Sequence, residues 1–253
     1  MHPSRRRILL AACAIGVIPF AFAQTRSDLA REKRWADQVV PSLVVGDAVT
    51  LQARDGTRFL ALWALPERAR GAVMLLHGPG LHPNHGITGE LRVALAERGF
   101  ATLSLQMPVL PAEVDDGAAY QALYPEAGER IAAGIAFLRA KRFARVAVVS
   151  HAMGCGMFYA WWRKSRDPAI AAWVALSFYG VFEEIARAPF PVFDLYGAND
   201  YRGIRGKAEE RAEVLATVRG ARQLAVPEGG YFLAGGEATV LKEVPAFLEA
   251  LTN

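Results

Sequence analysis

GAVMLLHGPGLHPNHGITGELRVALAERGFATLSLQMP, residues 71–108, holds three patterns in succession. Gly71-Ala72-Val73-Met74-Leu75-Leu76 is a continuous apolar run, too short for a helix. It lacks the alternation of a strand with one wet face, so it fits a strand buried on both faces. Ile87–Arg98 carries the helical period, and Phe100–Leu105 is again strand-like. Strand, helix and strand in that order form a crossover unit, which implies parallel strands.

The same alternation continues towards the C-terminus. The sequence predicts a helix over Pro125–Arg142, with Pro125 suited to its first turn, then a strand over Arg145–Val149. A helix over Met153–Lys164 and strands over Ala172–Phe178 and Pro191–Tyr196 follow. Lys207–Val218 is helical, Arg222–Val226 a strand, and Ala238–Leu251 a closing helix. Upstream, Val44–Leu51 and Phe59–Trp63 flank an Asp55-Gly56 pair, which signals a β-hairpin. The expectation is an α/β fold, a mostly parallel sheet with helices on both faces and an N-terminal β-hairpin. Residues 42–253 form a single domain without internal repeats, preceded by a polar N-terminal arm over residues 24–41.

The 253 residues are 53% hydrophobic and 21% charged, enough apolar content for a sizeable core. The net charge of +4 owes three units to Arg5, Arg6 and Arg7. Without them 26 basic residues (29 less these three) face 25 acidic ones, so no basic face for nucleic acid is implied. Those arginines precede an apolar run, Ile8–Phe22, and the small-x-small ending Ala21-Phe22-Ala23. Together they read as a signal peptide over residues 1–23, cleaved between Ala23 and Gln24. The run is shorter than the roughly 18 residues a membrane span needs, so no transmembrane helix is expected in the mature protein. Ser4-Arg5-Arg6-Arg7-Ile8-Leu9 fits both general and twin-arginine export, and the expected location is the periplasm or outside the cell. Cys13 leaves with the signal, so Cys155 has no disulfide partner.

With its hairpin and alternation, the chain resembles an α/β hydrolase, and within that superfamily a group of exported bacterial proteins. The resemblance rests on residues 71–108, where a buried strand ends in His77-Gly78, and on Ser150-His151-Ala152-Met153-Gly154 some 70 residues later. The family places G-x-S-x-G on a sharp strand-to-helix turn that lifts a serine nucleophile above the sheet. Small residues, Ser150 and Gly154, keep the outer positions. Ala152 stands where the nucleophile belongs, and it has no heteroatom to attack a carbonyl.

The resemblance also implies an acid and a histidine, in that chain order. Asp200 matches the acid in Phe193-Asp194-Leu195-Tyr196-Gly197-Ala198-Asn199-Asp200. Tyr231 takes the histidine's place in Val226-Pro227-Glu228-Gly229-Gly230-Tyr231-Phe232, and no histidine follows His151. The oxyanion hole would draw on the Met153 N–H and on the loop Gly78-Pro79-Gly80. Pro79 has no N–H, which leaves Gly80 as the substitute. Losing serine or histidine from such a triad costs about 10⁶-fold in kcat.

Other polar and aromatic groups have plainer readings. Cys155 is expected to face the sheet as an inert thiol. His77, His82, His85 and His151 invite a metal reading, but spacing makes only two of them neighbours, and no metal site or cofactor is expected. Tyr159, Trp161, Trp162, Trp173, Phe178 and Tyr179 read as packing aromatics. The function expected is therefore binding without catalysis, of a small molecule or a protein partner. Carboxylic-ester hydrolysis is the alternative if Ala152 is an engineered change or the missing groups come from elsewhere.

Overall fold

A computed structural model describes residues 26–114, 116–181 and 183–252, so the signal segment 1–23 and Cys13 lie outside the described residues. Eight strands form one sheet: β1 (Asp47–Gln52), β2 (Arg58–Ala64), β3 (Ala72–Leu76), β4 (Ala101–Leu105), β5 (Val146–His151), β6 (Ile170–Leu176), β7 (Val192–Gly197) and β8 (Arg222–Val226). Their spatial order is β1-β2-β4-β3-β5-β6-β7-β8. β1 pairs antiparallel with β2, and β2 antiparallel with β4. The remaining pairs are parallel. The Asp55-Gly56 hairpin closes between Gln52 and Arg58 as expected.

Between strands run α2 (Gly86–Glu97), α3 (Tyr124–Ala140), α4 (Met153–Ser165), the short α5 (Arg202–Arg205), α6 (Ala208–Leu215) and the closing α7 (Glu237–Glu249). β3 explains the continuous apolar runs. Met74 and Leu76 join a core that includes Ile131, Ile135 and Leu138 of α3 and Phe158 and Trp162 of α4. Val73 and Leu75 point the other way, to Leu91 and Leu95 of α2 and Val240 and Val244 of α7. A strand with helices on both sides has no wet face, so both phases of its period are apolar.

Some boundaries differ from expectation. β6 ends at Leu176 because Ser177 adopts φ 52° and turns the chain, which leaves Phe178 and Tyr179 beyond the strand. The single helix expected over Lys207–Val218 is shorter, Ala208–Leu215, and α5 precedes it. Part of the polar arm forms α1 (Leu29–Val39), which the Asp28 carboxylate caps by accepting from the Arg31 N–H at 2.9 Å. This helix is fastened to the loops that follow β3 and β4. Asp28 N–H donates to Val109 O at 2.8 Å, and the Arg31 guanidinium donates to Leu110 O at 2.7 Å and Gly80 O at 3.2 Å. No helix among the described residues is long and apolar enough to cross a membrane.

Candidate functional site

β5 passes into α4 through one residue. Ala152 has φ 51° and ψ −115°, a conformation that costs an L-residue about 1–3 kcal/mol. Its N–H is held by Leu176 O at 2.8 Å. Gly154 is required beside it, because a Cβ there would lie 2.7 Å from the carbonyl oxygens of both Leu76 and His77. Ser150 is buried, and its hydroxyl accepts from Trp173 Nε1 at 2.7 Å and donates to Cys155 Sγ at 3.3 Å. The strained turn is thus fully built, but its apex bears only a methyl group, 5% exposed.

The loop after β3 is fixed by His77. Its Nε2 accepts the Met107 N–H at 2.9 Å, so the ring proton sits on Nδ1 and points to Gly78 O at 2.8 Å. Burial drives His77 down to about 3. Beyond it, Pro79 offers no N–H, and Gly80 takes φ 65° with its carbonyl engaged by Arg31. Met153 opens α4, where a first-turn N–H has no partner within the helix. The Met153 sulfur accepts from Tyr124 Oη at 3.1 Å.

Asp200 is buried and surrounded by donors. Its Oδ2 accepts from Ser177 Oγ at 2.6 Å and Gly197 N–H at 3.5 Å. Its Oδ1 accepts from Tyr201 N–H at 2.7 Å and Phe232 N–H at 3.1 Å. The carboxylate therefore ties together the chain after β6, β7 and β8. Tyr231 is 61% exposed and lies against the Phe232 ring at 4.0 Å. Phe232 is the residue of this loop that meets the elbow, its ring edge-on to His151 at 5.4 Å. His151 is buried, with no hydrogen-bond partner for Nε2 among the described residues. Burial pulls it down to about 4, against the opposing influence of a Phe232 backbone bond and the Asp200 charge. Phe232 and Ser177 are not legible in the sequence as site residues. The first merely adjoins Tyr231, and a serine just past a strand carries no signal of its own.

The remaining candidates settle into plainer roles. Cys155 is buried and donates to Ser150 O at 3.1 Å, and burial pushes its thiol up to about 12. At neutral pH it is a thiol, not a thiolate nucleophile. His82 and His85 touch edge-on at 5.3 Å, but no group of three His, Cys, Asp or Glu side chains gathers to hold a metal among the described residues. Tyr159 stacks on Trp173, and Trp162 packs edge-on against Phe190. Tyr179 departs from the packing role expected of it. The turn at Ser177 swings it outward, to 66% exposure. Clefts of about 370 Å³, beside Val45, Trp63 and Glu97, and about 450 Å³, beside Phe190, Pro191 and Arg219, share no residue with the elbow.

The buried histidines make stability depend on pH. Both His77 and His151 titrate lower in the folded protein than the usual 6.5. Their contribution is complete above about pH 6.5 and is lost as pH falls towards 4 and 3, because only the unfolded chain takes up the protons. At pH 5 each costs about 2 kcal/mol of stability. Between pH 7 and 5, His151→Gln should therefore lose about 2 kcal/mol less than the parent in urea unfolding. Equal losses would show that His151 is not held neutral by burial.

No family model matches the sequence, and no curated protein is significantly similar to it. Solved structures are similar in fold. A protein of unknown function from Agrobacterium tumefaciens has 18% identity and a TM-score of 0.63, over 80% of this chain and 94% of that one. Dienelactone hydrolase from Anabaena variabilis gives 16% and 0.62, over 80% and 96%. The esterase Pf2001 from Pyrococcus furiosus gives 13% and 0.61, over 83% and 98%. These likenesses, with the strand order and the one-residue turn at Ala152, identify the chain's architecture as the α/β-hydrolase fold.

Proposed function

We propose that this is an exported α/β-hydrolase-fold protein that performs no hydrolysis and acts by binding, with a small molecule or another protein as its partner. One observation carries the reading. The elbow keeps its strained backbone at residue 152, yet the side chain there is a methyl group. A turn that costs energy and holds no nucleophile has a shape to preserve but no covalent step to serve. The surroundings support it: Asp200 already receives four donors, and a phenyl ring rather than an imidazole meets the elbow. Export is supported by the arginines and apolar run before residue 24.

Ester hydrolysis is the competing reading, because esterases share the fold. It would need a nucleophile and a base that residues 152 and 231 do not supply. The purified protein should release no p-nitrophenol from p-nitrophenyl acetate or butyrate above the buffer rate. Turnover at about 1 s⁻¹ or faster, in the ordinary range for enzymes, would defeat the proposal.

A further inference from the structure

Three exposed tyrosines stand at the carboxyl ends of adjacent parallel strands. Tyr179 follows β6 at 66% exposure, Tyr201 follows β7 at 55%, and Tyr231 follows β8 at 61%. Tyr179 and Tyr201 meet at 6.1 Å with their rings 31° apart, and Tyr231 rests on Phe232. Asp200 brings these loops to one place, since its Oδ1 holds the N–H groups of both Tyr201 and Phe232, and its Oδ2 holds Ser177, two residues before Tyr179. The backbone is strained here as well. Ser177, Phe232 and Leu233 have φ of 52°, 53° and 68°. A carboxylate and three costly dihedrals thus present three phenol rings to solvent.

We infer that this tyrosine face is an isologous interface between two copies of this chain. Rings this exposed project outward instead of lining a cavity, whereas small-molecule sites are concave. Tyrosine and arginine are the residues that anchor protein–protein contacts. The flanking charges select a second copy over a partner of one sign. Arg202 adjoins Tyr201, and Glu228 lies just ahead of Tyr231 on the neighbouring loop. Both are exposed, and neither joins an ion pair among the described residues. A face that carries free charges of both signs complements itself under a two-fold rotation, Arg202 of each copy opposing Glu228 of the other. The rings supply on the order of 300–400 Å² per copy, about half of the roughly 800 Å² per partner typical of specific interfaces. The loops around them make up the rim. This inference goes beyond the reading of the elbow and is tested separately: ester turnover bears on one, mass in solution on the other.

Sedimentation of the purified protein gives the test. The parent should be a dimer that dissociates on dilution. Tyr231→Ser and Tyr201→Ser should each weaken it about 30-fold, with unchanged circular dichroism showing that the fold survives. Arg202→Glu and Glu228→Arg should each weaken it through two symmetric like-charge contacts. The double variant, and an equimolar mixture of the two single variants, should recover the dimer. A parent that stays monomeric up to about 1 mM overturns the inference. So does a dimer indifferent to the tyrosines, or one that neither charge combination restores.

Discussion

Arg130→Met should lower the free energy of unfolding by about 3–5 kcal/mol, the cost of leaving buried charges without their partner. Arg130 lies on α3 with its side chain fully buried. Its Nη2 donates to Glu32 Oε1 at 2.9 Å and to Glu126 Oε1 at 2.6 Å. Its Nη1 donates to Glu32 Oε2 at 3.0 Å and to Gln106 O at 2.8 Å. Burial raises the pKa of Glu32, and Arg130 is the chief influence holding it down. Without the guanidinium two carboxylates share an apolar site, and Glu32 takes up a proton more readily still. The destabilisation should therefore be largest at neutral pH and shrink as pH falls and the carboxylates protonate. Adding Glu32→Leu and Glu126→Leu should return much of the loss, because an apolar set of similar volume avoids the desolvation altogether. A loss under about 1 kcal/mol for Arg130→Met in urea unfolding would mean that the site is wet, not buried.

That network also shows where the sequence is legible and where it is not. The central strand β3 announces itself because it is apolar through both phases of its period, Val73/Leu75 on one side and Met74/Leu76 on the other. The elbow is legible because its requirements are local: a small residue on each side of a one-residue turn, with Gly154 forced by two nearby carbonyls. The arm is another matter. Ser27 and Glu32 sit in a polar stretch that reads as solvated, yet both are buried, and the partner that neutralises Glu32 is 98 residues away. No periodicity connects them. The loop after β8 lacks periodicity too, so pattern locates its place in the fold without deciding which ring, Tyr231 or Phe232, turns inward. That choice is made by the backbone at Phe232, whose φ of 53° lets its N–H reach Asp200 while its ring meets His151. Tyr179 fails for a similar reason, since one positive dihedral at Ser177 reverses its side from core to surface.

The same geometry decides how the elbow would have to be repaired. Ala152→Ser alone should remain unlabelled by a fluorophosphonate probe, read by intact mass, because a serine hydroxyl without a base is a weak nucleophile. A missing triad histidine costs about as much as a missing serine, on the order of 10⁶-fold in kcat. Adding Phe232→His should bring labelling at position 152, since the ring at residue 232 already meets His151 and its backbone N–H already donates to Asp200. Adding Tyr231→His should not, since that side chain is exposed and its ring meets Phe232 rather than the elbow. The recovered rate should stay well below that of an intact triad. Asp200 keeps Ser177, Gly197 and Tyr201 as donors and must share itself with any new imidazole. The oxyanion side is compromised too, because Pro79 has no N–H and one missing donor costs roughly 10²–10³-fold. Labelling through residue 231 instead would put the base position one residue earlier and make the inward face of Phe232 incidental. Labelling of the unaltered protein would be more consequential. The adduct's position would then name a nucleophile other than residue 152, and the reading of this elbow as a shape without chemistry would fall.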